Sequence, residues 1–155
     1  MSAGAEPFVG GLQIRRPPAL DAPARALIEA KNVCTICTHG ADGSIHALPV
    51  WVDTDGEAIL INSVVGRAWV RNLERDPRVT CTIVNLADPY EFLEVRGRAE
   101  ARGHEAGERH IDELAKKYLD LDAYPFSSPD EPRLLFAVVP ERVVHVLPES
   151  QDLET

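Results

Sequence analysis

The chain has 155 residues, of which 45% are hydrophobic, and a formal net charge of −9 at pH 7. This length predicts one domain with a substantial core, and the acidic balance argues against nucleic-acid or membrane-surface binding, because both need a basic footprint. No apolar run is long enough to span a membrane and no secretory signal pattern opens the chain, so we expect a cytoplasmic protein.

The first part of the chain predicts an arm, a short helix and three strands. Residues 1–20 show little periodicity and are expected to form an N-terminal arm. Asp21 followed by Pro23 is typical of a helix start, which predicts a helix to Ala30. Two Asp-Gly turns then favour hairpins, because glycine readily adopts the positive φ that such turns need. The strands that flank these turns are expected at residues 33–38, 45–53 and 58–64.

The rest of the chain predicts two further helices between strands. A helix from Arg67 to Arg75 is closed by Asp76-Pro77, since proline disfavours helix in the residue before it. Apolar residues with helical spacing, beginning at Ile111, predict a helix over 105–119. We expect a flexible tail at 148–155. The remaining strands are expected at residues 78–86, 90–101, 134–139 and 142–147, the last two separated at Pro140.

These elements favour a mainly β domain over residues 21–147, with peripheral helices. Strands joined by hairpins pair antiparallel, because a parallel sheet needs long crossover connections. A sheet of about six or seven strands with one apolar face tends to close into a barrel. The helices would then cover its open edges.

Cys34 and Cys37 form a C-x-x-C pair, a pattern that also occurs in metal and redox sites. The surrounding residues favour a strand, and residues three apart on a strand point to opposite faces. No second pair of this kind is present. We therefore interpret the thiols as small buried side chains in a reducing compartment and predict no metal. No nucleophile and base stand together, so any chemistry is expected to belong to a cofactor.

An anion site is predicted where a strand turns through Gly66 into a helix. The start of a helix presents unpaired N–H groups and the positive end of its dipole. Arg67 stands at this start and adds a charged donor. Arg71, Arg75 and Arg78 extend the basic cluster, and for the last two a solvated face paired with neighbouring acids is the alternative.

Two blocks, GRAWVRNLERDPRVT and DPYEFLEVRGRAE, resemble the pyridoxamine 5′-phosphate oxidase-like split-barrel family. The resemblance covers about Leu27 to Val146. More narrowly, the chain is similar to deazaflavin-dependent oxidoreductases that use coenzyme F420. The resemblance implies an antiparallel six-stranded split β-barrel of the FMN-binding type. It also implies a homodimer with the cofactor groove at its interface.

The resemblance further implies which residues bind the cofactor. Those that would run along its ring are Leu48, Pro49, Val50 and Trp51. Those that would meet the ring or its polyol chain are Asn62 and Ser63. Those that would surround its phosphate are Arg67, Ala68 and Asn72. Many family members carry a lysine two residues after this arginine, where the chain has Trp69, which would pack against the cofactor or anchor the helix in the core.

The resemblance leads to the hypothesis of an oxidoreductase that transfers a hydride between F420 and a small organic acceptor. The proton would come from solvent or from a tyrosine such as Tyr118, and no catalytic residue is assigned. Trp69 in place of the lysine leaves two alternatives open: an FMN-dependent flavoprotein of the same fold, and a non-catalytic protein that binds a flavin-like or haem-like ligand. No nucleic-acid or membrane partner is predicted.

Overall fold

The computed structural model describes residues 11–149. The remainder of the predicted arm and tail, residues 1–10 and 150–155, lies outside the described residues. The elements are β1 (Leu12–Arg15), α1 (Ala22–Glu29), β2 (Cys34–His39), β3 (Ile45–Val50), β4 (Asp53–Thr54), β5 (Ile59–Val64), α2 (Ala68–Arg75), β6 (Arg78–Val84), β7 (Phe92–Gly103), α3 (His104–Leu119) and β8 (Arg133–Pro148). No helix among them is long and apolar enough to cross a membrane.

All strand pairs in the described residues are antiparallel. The strands follow the order β3-β2-β6-β7-β8-β5-β4, and β1 pairs with β8. This confirms the mainly β, antiparallel fold with peripheral helices. The sheet has eight strands rather than the six that the resemblance implied. Relative to the seven strand segments predicted along the chain, a short strand forms within the predicted arm, the segment over 45–53 divides into β3 and β4, and the last two segments join into β8.

One apolar core joins strands that lie far apart in the sheet. Ile36 of β2 and Ile61 of β5 belong to the same buried cluster, although β6, β7 and β8 lie between their strands. The sheet must therefore curl around this core, as a barrel does. The side chains of Leu27 and Ile28 from α1 are buried in the same cluster.

The last strand is continuous through Pro140, where the sequence predicted a break. The pairing of β7 with β8 passes from Gly97↔Pro140 to Arg96↔Arg142, so Glu141 is an extra residue in the ladder. A bulge of this kind accommodates a residue without a backbone donor. Gly97 is needed here, because a Cβ at this position would lie 2.1 Å from the carbonyl oxygen of Val139.

A buried polar network fastens β1 to the sheet. The Nδ1 atom of His145 accepts a hydrogen bond of 2.7 Å from Arg15, and its Nε2–H donates to Glu91 at 2.8 Å. Arg15 also pairs with Asp21 at the start of α1. His145 is fully buried, so both of its ring nitrogens need partners. The network therefore ties β1 and the loop before β7 to β8.

Candidate functional site

The candidate site is a groove with a volume of about 490 Å³. It lies where β3 and the end of β5 face α2, α3 and the loop after α3. Its mixture of apolar walls and a few polar groups is typical of a site for a small molecule. The lining residues are Val33, Leu48, Pro49, Val50, Trp51, Asn62, Ser63, Arg67, Trp69, Ile111, Leu114, Tyr124 and Arg133.

One wall of the groove comes from β3 and the residue that follows it. Leu48 and Val50 are half-buried and pack against the core cluster. Trp51 stacks on Tyr118, with ring centroids 5.0 Å apart and planes 6° apart. Tyr124 meets the same indole edge-on at 6.1 Å. The wall therefore holds an aromatic face that a flat ligand ring can lie against.

Tyr118 anchors this wall through its hydroxyl group. The hydroxyl donates to the carbonyl oxygen of Asn32 at 2.5 Å and accepts from the N–H of Val52 at 3.2 Å. Burial raises the pKa of Tyr118 to about 12. The ring supports Trp51 from behind and is absent from the groove lining. These contacts make Tyr118 a structural support and argue against its predicted use as a proton donor.

The groove floor is formed by the end of β5. Ser63 is 3% exposed, and Asn62 donates from Nδ2 to the carbonyl oxygen of Gly107 on α3 at 2.8 Å. The same amide lies 3.4 Å from Nδ1 of His110. Oδ1 of Asn62 and Nε2 of His110 are buried and have no hydrogen-bond partner among the described residues. The side-chain amide of Asn62 thus links the floor to α3, while its Oδ1 atom makes no hydrogen bond among the described residues.

His110 is a buried histidine beneath this floor. Its side chain is 3% exposed, and its Nε2 lies 3.9 Å from a carboxylate oxygen of Asp53. Burial lowers the pKa of His110, Asp53 opposes that effect, and Lys117 adds to it. His110 is therefore a neutral imidazole near neutral pH, and it supports Asn62 from the side away from the groove.

The segment after β5 has the geometry expected of an anion site. Gly66 has a φ of 93°, a value that glycine adopts at no steric cost. Arg67 is the N-cap of α2 in an extended conformation, and no side chain caps the helix start. Arg67 is exposed and lines the groove. The first N–H groups of α2 and this guanidinium thus lie at one end of the groove.

Three of the predicted site residues on α2 have different surroundings. Trp69 lines the groove, but it is also 3% exposed and packs against Phe136 with ring centroids 6.1 Å apart. Ala68 is exposed and does not line the groove. Asn72 is buried and donates to the hydroxyl of Thr38 at 3.1 Å. Trp69 therefore contributes both to the core and to the groove lining. Asn72 is held to β2 by its hydrogen bond to Thr38.

The other arginines of the basic cluster do not line the groove. Arg78 forms an ion pair with Asp76 at 2.7 Å, and Arg75 donates to the carbonyl oxygen of His39 at 2.5 Å. Arg71 is exposed on α2. For Arg78 the solvated-face alternative is correct.

The structure adds to the groove two residues that were not predicted from the sequence, Arg133 and Tyr124. The guanidinium of Arg133 lies 4.8 Å from the centroid of the Tyr124 ring. A single arginine after a proline-containing loop gives no periodic signal. The signal that could have identified Arg133 is its position as a lone basic residue at the start of β8. That strand pairs with β5, which ends at the predicted anion site.

The C-x-x-C pair has the strand geometry that was expected. Cys34 is buried in the core, whereas Cys37 lies half-buried on the opposite face of β2. No group of metal-ligating side chains occurs within residues 11–149.

Solved structures with the same fold include an F420 reductase, which is 24% identical, with a TM-score of 0.67 over 77% of this chain and 94% of that one. A conserved hypothetical protein of Mycobacterium tuberculosis is 21% identical, with a TM-score of 0.64 over 83% and 86%. An FAD- and haem-binding protein of Mycobacterium smegmatis is 17% identical, with a TM-score of 0.66 over 86% and 73%. No protein with a curated description matches the sequence.

These structural similarities establish the split-barrel fold. Residues 20–147 match the sequence profile of pyridoxamine 5′-phosphate oxidase. The chain belongs to the pyridoxamine 5′-phosphate oxidase-like split-barrel family, which confirms the family predicted from its two sequence blocks.

Proposed function

We propose that the protein is an oxidoreductase that transfers a hydride between coenzyme F420 and a small organic acceptor bound in the groove. The observation that carries the proposal is the pairing of an aromatic and aliphatic wall with an arginine at the start of α2. A flat heterocycle fits the wall, and its phosphate fits the helix start. The fold similarity to an F420 reductase supports this choice of cofactor.

The types of residue that line the groove suit the ring and the phosphate of a phosphorylated deazaflavin. Leu48, Val50 and Trp51 provide apolar contact for the ring, while the amide of Asn62 lies at the floor. Arg67 and the free N–H groups at the start of α2 would hold the phosphate. Trp69 fills the place where many family members carry a lysine, so the phosphate would depend more heavily on Arg67.

When bound in reduced form, F420 supplies a hydride, and the acceptor takes that hydride together with a proton. The chain's contribution is to orient the two reactants and to exclude water from the apolar wall. Solvent at the exposed end of the groove is the proton source we propose, because the Tyr118 hydroxyl is bonded to backbone groups and has a pKa of about 12.

A fluorescence titration tests the proposal. F420 fluorescence is recorded at increasing micromolar concentrations of protein, and we expect quenching or a spectral shift that saturates. Consumption of reduced F420 in the presence of nitroaromatic or quinone acceptors then tests the enzymatic part. Absence of any fluorescence change would overturn the proposal.

An FMN-dependent flavoprotein is the second candidate, because family members and proteins of this fold are described as flavin-binding or as pyridoxamine phosphate oxidases. Such a protein would purify yellow, and F420 would displace the flavin poorly. Tight binding of F420 without turnover of any acceptor would instead indicate a ligand-binding protein.

We also propose that the protein is a cytoplasmic homodimer. The edge strand β3 supports this part, since Ile45 is 58% exposed and Pro49 is exposed beside the groove. A second copy placed against β3 would cover these side chains and complete the wall of the groove. Sedimentation analysis tests this, and a monomer at micromolar concentration would contradict it.

A further inference from the structure

Arg133 is a largely buried residue at the groove, and the described part of the chain supplies no anion for its cationic group. The residue is 9% exposed, yet within residues 11–149 its guanidinium forms no hydrogen bond or ion pair, and its nitrogen atoms are not among the fully buried polar atoms. Its one described partner is the face of the Tyr124 ring, 4.8 Å away. Buried charges are normally paired, because the loss of hydration is costly. The chain carries 25 acidic residues and a net charge of −9, so a shortage of carboxylates does not explain this.

The backbone of Arg133 is held firmly by α3. Its N–H donates to the carboxylate of Glu108 at 2.9 Å, and its carbonyl oxygen accepts from Nδ1 of His104 at 2.8 Å. Helix α3 approaches so closely that a Cβ on Gly107 would lie 2.8 Å from the carbonyl carbon of Arg133. Glu108 thus binds the backbone of Arg133 and leaves the guanidinium free.

The guanidinium lies at the ligand groove. Arg133 lines the groove together with Tyr124, Ile111 and Leu114. In the β5–β8 ladder it is paired with Val64, three residues before Arg67. The groove therefore has two arginines near the end of β5, one exposed at the start of α2 and one buried under the loop after α3.

We propose that Arg133 binds an anionic oxygen group, carboxylate or phosphate, of the ligand in this groove, and that it discriminates against neutral analogues. A guanidinium presents a planar fork that matches two oxygen atoms of such a group. The cation–π contact between the guanidinium and the Tyr124 ring, 4.8 Å from the ring centroid, helps to hold that fork in place before the ligand arrives. The inference rests on the proposed function in that both place a ligand in the same groove.

The anionic group has two possible sources, and paired probes distinguish them. FMN and riboflavin share a ring and differ in a phosphate, so their affinity ratio reports a site for the cofactor's phosphate. The compounds 2-naphthoate and 2-naphthamide share a flat body and differ in charge, so their ratio reports a site for an acidic acceptor. Affinities are measured by calorimetry with the wild-type protein and with Arg133→Gln.

We expect Arg133→Gln to lower the anionic-to-neutral affinity ratio of at least one pair by about 10- to 100-fold, as for a lost hydrogen bond to a charged group. Arg142→Gln, an exposed arginine of the same strand, is the matched control and should leave both ratios unchanged. Unchanged affinity for the neutral probes shows that the groove is intact. Should Arg133→Gln not fold, Arg133→Lys keeps the charge without the fork and should lower the ratio in the same direction by a smaller factor.

The inference is overturned if both ratios in the folded Arg133 variant equal those of the wild type, or if the wild type has no preference for either anionic probe. The F420 titration is a separate measurement that depends on the ring and on Arg67. If F420 does not bind, the naphthoate comparison still tests the role of Arg133. If the Arg133 variant shows unchanged affinity ratios, the proposal that F420 is the cofactor is unaffected.

Discussion

The indole of Trp51 lies flat on the phenol ring of Tyr118, with planes 6° apart and centroids 5.0 Å apart. The stack joins a groove wall to the helix behind it, because Tyr118 belongs to α3 and its hydroxyl is bonded to the residues before β2 and β4. The orientation of the wall therefore depends on a side chain that the ligand does not touch.

Tyr118→Phe keeps the stacked ring and removes the hydroxyl. The carbonyl oxygen of Asn32 and the N–H of Val52 then lose a partner, so we expect the free energy of unfolding to fall by about 1–3 kcal/mol. Urea denaturation measures this change. Because the pKa of Tyr118 is raised to about 12, its contribution to stability is complete below pH 10 and is lost as the pH rises toward 12. The phenylalanine variant should show a shallower alkaline decline, and an equal decline would contradict the role of the hydroxyl.

His110→Gln removes a buried imidazole whose pKa is lowered mainly by burial. The folded state favours the neutral ring, so this contribution is complete above the ordinary value of 6.5 and is lost as the pH falls through the lower folded pKa. We expect the wild type to lose more stability than the variant between about pH 7.5 and pH 5. Urea denaturation at a series of pH values measures this difference. If the free energies of unfolding of the two proteins changed in parallel with pH, the link between His110 protonation and stability would be contradicted.

Arg67→Gln removes the exposed guanidinium at the start of α2. Since a charged hydrogen bond to phosphate would be lost, we expect the affinity for F420 to fall by about 1–3 kcal/mol, with little change in stability. Arg71→Gln lies one turn further along α2, is exposed and does not line the groove, so it serves as the control. Equal F420 affinities for the two variants would remove Arg67 from the site.

Trp69→Ala creates a cavity beneath α2, because the indole is buried against Phe136. We expect a loss of about 3–5 kcal/mol in the free energy of unfolding, measured by urea denaturation. A loss of about 0.5 kcal/mol or less, within the range of surface substitutions, would mean that the indole serves the groove rather than the core.

Gly107→Ala tests the close contact between α3 and the start of β8. Alanine favours helix by about 1 kcal/mol, but its Cβ would lie 2.8 Å from backbone atoms of Arg133 and Leu134. We therefore expect a net destabilisation of about 1–3 kcal/mol from overpacking. Glu113→Ala, at an exposed position of the same helix, should be nearly neutral, and a stabilising effect of Gly107→Ala would contradict the contact.

Local signals in the sequence were sufficient for most of the fold. Asp21 was predicted to start α1, and its side chain accepts from the N–H of Ala24 at 3.2 Å. The break predicted at Pro140 was wrong, because the bulge at Glu141 lets the strand continue past a residue that normally ends one. That bulge depends on the close approach of Gly97, which is a tertiary contact and leaves no local pattern.

The candidate site likewise has one part that local sequence predicts and another that depends on tertiary contacts. The turn at Gly66 and the position of Arg67 follow from local chain geometry, and eight of the ten residues expected at the cofactor line the groove. The surroundings of Arg133 could not be predicted, because they come from Tyr124 nine positions earlier and from Gly107 on a packed helix. Those contacts arise only when α3 closes over β8.

Strand β8 pairs with β1, β5 and β7, and it is the last element of the described chain. During synthesis, three strands made earlier would therefore wait for a partner that is translated after all of them. Sheets that depend on such distant pairing form slowly. We expect the core to stay open until β8 has emerged, so that chaperones meet the unpaired strand edges before any cofactor does.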